Sequence, residues 1–110
     1  MIASTTAADE LCEALNNGDV DTVQRMIEKG ANINTRCDSK GQTLIMIAAF
    51  NANPSIVKML MDKGADINAA DRNGKTALMH AKESKKMFQG IASNERIDKV
   101  VSILEAGGAR

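Results

Sequence analysis

The phrase Gly-Ala-Asx-Ile-Asn occurs twice, as Gly30-Ala31-Asn32-Ile33-Asn34 and as Gly64-Ala65-Asp66-Ile67-Asn68. A shortened echo, Gly108-Ala109, stands near the C-terminus. A second phrase keeps the same step: Gly41-Gln42-Thr43-Leu44 returns as Gly74-Lys75-Thr76-Ala77-Leu78. A fixed period of 33 to 34 residues marks stacked supersecondary units, each burying its apolar face against its neighbours. Arrays of this kind present a surface and bind something.

Aligned on their glycines, the units run from about residue 4 to 37, 38 to 70 and 71 to 110, and together form one domain. Each reads as two antiparallel helices. In the second unit Thr43 is a good N-cap. The short, almost wholly apolar run that follows it must be buried on most sides. Asn51-Ala52-Asn53 is a turn, Asn53 can cap the next helix, and Pro54 takes its first position, where a missing N–H costs nothing. Ile56, Val57, Met59, Leu60 and Met61 form an apolar stripe, and Gly64 is the expected left-handed residue after the last turn. The first unit repeats this grammar. Asp9 caps a helix carrying Leu11, Ala14 and Leu15, and Asp19 caps one carrying Val23, Met26 and Ile27. This unit reads as an N-terminal cap. In the third unit Val100 follows Thr76 by 24 residues, whereas its counterpart Ile56 follows Thr43 by 13. That places an insertion of 11 residues within 82–97. Lys85 to Gln89 are compatible with a prolonged helix, Gly90 with its end, and Ser93 or Asn94 with the cap of the next.

Composition narrows the functional classes. With 14 basic and 14 acidic residues the chain is formally neutral. It therefore lacks the excess of cations that a nucleic-acid binder uses to displace counterions, and nothing directs it to an anionic membrane. No apolar run approaches the roughly 18 residues needed to span a bilayer. The first eight residues carry neither a basic n-region nor a long apolar stretch, so the cytoplasm is the default compartment; a removed signal peptide, with a periplasmic or secreted mature form, is the alternative. Trp and Tyr are absent, Phe occurs twice and Met seven times, so the core must be aliphatic. A single histidine leaves no plausible Cys/His zinc set.

The two cysteines, Cys12 and Cys37, are too few for a disulfide framework and are expected as free thiols, since disulfides are uncommon in cytosolic proteins. Cys12 aligns with Met46 and can face a groove beside the turn that carries Cys37. Spacing does not decide whether they pair.

These motifs resemble the ankyrin repeat. Asp38-Ser39-Lys40-Gly41-Gln42-Thr43 and Asp71-Arg72-Asn73-Gly74-Lys75-Thr76 match the opening of that pattern, Ala48-Ala49 its middle, and Ile56-Val57 with Leu60 its second helix. The match is good over residues 8–81 and weak over 97–109. The family's Pro-Leu-His is replaced by Leu44-Ile45-Met46 and by Ala77-Leu78-Met79. Loss of the histidine that links adjacent turns implies weaker coupling between repeats, and the insertion is not a family feature. The resemblance implies an all-α solenoid of three helix-turn-helix units joined by short β-turn fingers. It also implies a non-catalytic, cofactor-free, monomeric module that binds another protein through its finger tips and the concave face of its first helices.

Carried onto this chain, the fingers offer Ser39, Lys40 and Gln42, then Arg72, Asn73 and Lys75. The first helices offer Asn16 and Asn17, Phe50 and Asn51, then Glu83 and Ser84. Phe50 either anchors a partner or is covered by the insertion. Met46 and Met79 either line the groove or pack between helices, the second being favoured. Met87, Phe88 and Ile91 either grip a partner or close the stack. Lys82, Lys85 and Lys86 read as a solvated face, and His80 as a structural histidine. The principal alternative function is a dedicated inhibitor or immunity-type protein that plugs the active site of a partner enzyme. The chain shows no glycine-rich phosphate loop, metal set or paired acid and base that would make it an enzyme itself.

Overall fold

The computed structural model describes residues 7–87 and 94–108. Among these are six helices: α1 (Ala7–Asn16), α2 (Val20–Glu28), α3 (Leu44–Phe50), α4 (Pro54–Asp62), α5 (Ala77–Met87) and α6 (Asn94–Ala106). They pair as α1–α2, α3–α4 and α5–α6, and the pairs stack into an all-α solenoid. Phe88, Gly90, Ile91 and Ser93 lie outside the described residues.

Local chemistry sets the helix ends. The Asp19 carboxylate accepts from the Thr22 N–H at 3.2 Å and opens α2. The Asn53 side chain accepts from the Ile56 N–H at 3.2 Å and opens α4, with Pro54 at its first position. Asp9 is not a cap. It lies within α1 as described, Ala7–Asn16, where a negative charge near the N-terminal end still favours the helix dipole. Thr43 occupies the cap position of α3, but its hydroxyl is buried without a hydrogen-bond partner. Its own N–H instead reaches Met46 Sδ at 3.4 Å.

The recurring glycine phrase has a double role. Gly30 and Gly64, at φ of 93° and 89°, turn the chain off α2 and α4. The following alanine N–H groups then bond back to Met26 and Leu60 at 3.1 and 3.0 Å. The asparagines that end the phrase are struts between units. Asn34 Oδ1 accepts the Asp66 N–H at 3.1 Å, and Asn68 Nδ2 donates to the Gly108 carbonyl at 3.3 Å. The first finger is closed by a single β-bridge, Arg36 to Thr43. Its Lys40 carbonyl accepts the Arg72 N–H of the next finger at 2.9 Å. The Arg36 guanidinium spans the same gap, donating to the Gly41 and Ala70 carbonyls. These bonds couple the units in the absence of the family histidine.

The core is aliphatic. Leu44 to Ala49, six consecutive residues of α3, are all buried, and α3 packs against α1, α4, α5 and α6. Leu11, Leu15, Ile56, Leu60, Val100 and Leu104 complete the interior. Each such side chain contributes about 1.5–3 kcal/mol through lost contact with water.

The insertion is expressed first as length. At 11 residues α5 exceeds the seven of its counterpart α3. The extra turn is tied to α6 by Lys85 and Asp98, whose charged groups are 2.5 Å apart.

Candidate functional site

The two fingers and the C-terminal turns of the first helices enclose one groove of about 520 Å³. Its finger wall carries Asp38, Lys40, Gln42 and Asn73; its helix wall carries Ile47, Phe50, Asn51 and Met87. Lys75 and Glu83 face each other across it at 2.6 Å.

Nine of the residues offered as binding positions in the sequence therefore converge: Asn16, Lys40, Gln42, Phe50, Asn51, Asn73, Lys75, Glu83 and Met87. Others do not. Met46 is 1% exposed and belongs to the core. An all-apolar helix carries no phase that distinguishes its outer side, and α3 turns Met46 inward. Arg72 lines a separate, smaller cleft with Arg36 and Gly41. Met79 is 47% exposed but lies outside the groove. Ser84, expected on the surface, is 1% exposed, because α5 presses this side against α3. Its hydroxyl donates to the Phe50 carbonyl at 2.8 Å.

Charge inside the groove is largely paired. The Lys75 ammonium lies above its ordinary value because Glu83 hydrogen-bonds and attracts it. Glu83 is correspondingly held below the usual carboxylate range by its bond to Lys75. At the base of the groove sits a pair that the sequence reading did not join. His80 Nε2 lies 2.9 Å from Asp71 Oδ2, with side-chain exposures of 7% and 1%. The other oxygen, Oδ1, accepts the Asn73 and Lys75 N–H groups at 2.9 and 3.0 Å. Burial pushes the Asp71 carboxyl up. The bonds from Lys75, His80 and Asn73 outweigh it and leave the group below its ordinary value. Asp71 is thus ionised at neutral pH, and the His80 Nε2–H donates to it.

The first finger carries the same turn without the histidine. Asp38 Oδ1 accepts the Lys40 and Gln42 N–H groups at 3.0 and 3.1 Å, and Ile47 takes the place of His80. Asp71 to His80 therefore anchors the second finger to its own helix. The only hint in the sequence was the pairing of a finger-opening aspartate with a histidine one turn into the following helix.

Cys12 and Cys37 are not free thiols. They form a disulfide, with their Cα atoms 5.7 Å apart. The expectation rested on the usual reducing state of the cytosol, whereas the fold brings α1 directly against the first finger. Cys37 also lines the groove, as does Asn16 at the end of α1.

Comparisons with known proteins agree with this architecture. M-phase phosphoprotein 8 of Homo sapiens is 39% identical over 74 residues, which cover 66% of this chain and 9% of that protein. The E3 ubiquitin-protein ligase hecd-1 of Caenorhabditis elegans is 32% identical over 107 residues, covering 93% of this chain and 4% of that protein. The mitochondrial disaggregase of Bos taurus is 41% identical over 61 residues, covering 56% and 9%. The chain thus spans less than a tenth of the length of each of these relatives. A family model described as ankyrin repeats, in three copies, matches residues 11–102. With that match spanning most of its length, the chain belongs to the ankyrin-repeat family.

Proposed function

We propose that this chain is a non-catalytic, monomeric module that docks one protein partner in the groove between its fingers and first helices. Ankyrin repeats generally mediate protein–protein interaction. The observation that carries the reading here is the convergence of the groove residues. Phe50 and Met87 supply apolar area on one wall, and Lys40, Gln42 and Asn73 supply hydrogen-bonding groups on the other. Such a wall pair suits a partner segment with one apolar and one polar edge. The fingers are already fixed by Asp38 and Asp71, so docking loses little conformational entropy. Formal neutrality supports a protein rather than a nucleic acid as the partner.

Among the described residues no helix is long and apolar enough to cross a membrane. The Cys12–Cys37 bond supports a working compartment oxidising enough to form it, the periplasm or cell exterior rather than the cytoplasm.

The test is capture of partners from native lysate by the wild type and by the Phe50→Ala/Lys75→Ala variant, identified by mass spectrometry. One stoichiometric partner, lost from the variant while its circular dichroism is unchanged, is the expected result. Equal retention by both proteins would overturn the groove as the docking surface.

A further inference from the structure

The disulfide joins two elements that each supply part of the groove. Cys12 sits in α1, whose last residue, Asn16, is one lining residue; Cys37 opens the finger that contributes Asp38 and Lys40. The two elements are otherwise held by different means. The finger is secured by hydrogen bonds: Cys37 N–H to the Gln42 carbonyl at 2.7 Å, and Arg72 N–H to the Lys40 carbonyl at 2.9 Å. The helix is secured by packing of Leu11 and Leu15 against α2 and α3. With the bond in place, α1 cannot lift without pulling on a finger that is tied to its neighbour. Without it, nothing covalent ties α1 to the finger, and a segment held by packing alone can open locally well below the cost of global unfolding.

We propose that the Cys12–Cys37 bond makes the groove conditional on thiol redox state. Oxidised, the chain presents a complete groove; reduced, it keeps its stack but loses the Asn16 end of the groove, the part that α1 supplies. The inference rests on the reading of the groove as the docking surface. It implies a module that is incomplete in a reducing compartment and is completed on reaching an oxidising one.

The chemistry balances with a disulfide as oxidant and a dithiol as reductant. On oxidation the two thiols pass two electrons and two protons to the disulfide of a thiol oxidase or small-molecule disulfide, which leaves as two thiols. On reduction a dithiol attacks the sulfur of Cys37, the less buried of the two residues, and Cys12 departs as thiolate. The second thiol of the reductant then resolves the mixed disulfide.

The test is amide hydrogen exchange, followed by mass spectrometry, on three samples: oxidised wild type, wild type held in excess dithiothreitol, and Cys12→Ala/Cys37→Ala. No partner is needed, so the outcome is independent of the capture experiment. The expected result is exchange at least tenfold faster across residues 7–16 in the reduced and variant proteins, with residues 36–87 changed less than twofold. Two results would overturn the proposal. Unchanged exchange in α1 would make the bond a bystander. Loss of protection throughout the chain would make it a condition of folding rather than of the groove.

Discussion

Asp71 holds the second finger with one carboxylate oxygen and His80 with the other, the latter at 2.9 Å in a side-chain pair almost closed to water. A carboxylate held below its unfolded value stabilises the fold above that value. The contribution is lost as pH falls through the lowered folded value. Because Asp71 is shifted down from 3.8, its stabilisation is complete at neutral pH and drains away below about pH 4. Urea unfolding at pH 7 and at pH 3 should therefore show a steeper acid loss in wild type than in Asp71→Asn. The variant should already be about 1–3 kcal/mol less stable at pH 7, because it weakens buried bonds. Equal pH profiles would remove Asp71 as the source of acid sensitivity.

Ser84 links the third unit to the second by donating to the Phe50 carbonyl at 2.8 Å. That carbonyl belongs to the last turn of α3, where no intrahelical donor remains. Ser84→Ala leaves it unmet in a closed interface and should cost about 1–2 kcal/mol. Ser84→Thr retains the hydroxyl but adds a methyl group to a fully buried site, so overpacking should offset part of the benefit. Thermal unfolding of both variants beside wild type provides the comparison.

Ala52 is the one non-glycine residue with positive φ, 56°, among the described residues. The equivalent turn in the first unit has Gly18 at φ 72°. A left-handed alanine costs roughly 1–2 kcal/mol, part of which glycine returns through the larger entropy of its unfolded chain. Ala52→Gly should therefore stabilise the protein by about 0.5–1 kcal/mol. A lower denaturation midpoint in the variant would contradict this account of the turn.

Met46 and Met79 are one repeat apart and differ completely in surroundings, 1% against 47% exposed. Truncation of Met46 to alanine should cost about 2–5 kcal/mol through the cavity it leaves. The same change at Met79 should stay within about 0.5 kcal/mol. Equal losses at the two positions would mean that Met79 is covered in solution.

Much of the fold was legible because it is local. Asp19, Asn53, Gly30 and Gly64 do their work within four residues of themselves, and side-chain type is enough to reveal it. The groove was legible in outline because residues at equivalent repeat positions must share a face: Lys40 with Asn73, Asn16 with Phe50. What was missed depends on helix rotation or on contacts between elements. The packed reading favoured for both methionines holds for Met46 but not for Met79, because repeat register does not say which side of α5 is left uncovered. Ser84 looked like one more polar residue on a lysine-rich helix until α3 was set against it. The cysteines lie 25 residues apart, and only the folding of α1 onto the finger brings them together.

The burial of α3 has a consequence for how the protein comes apart. Repeat arrays are commonly described as rows of links, each answerable only to the next, so that damage travels along the row. Here seven residues are shared property: α3 lies against four of the other five helices. Withdrawing it would strip the cover from α1, α4, α5 and α6 at once, so the row has no weak joint at its centre. Substitutions in Leu44 to Ala49 should consequently be felt as a single cooperative loss, with α1, α4, α5 and α6 reporting the same transition.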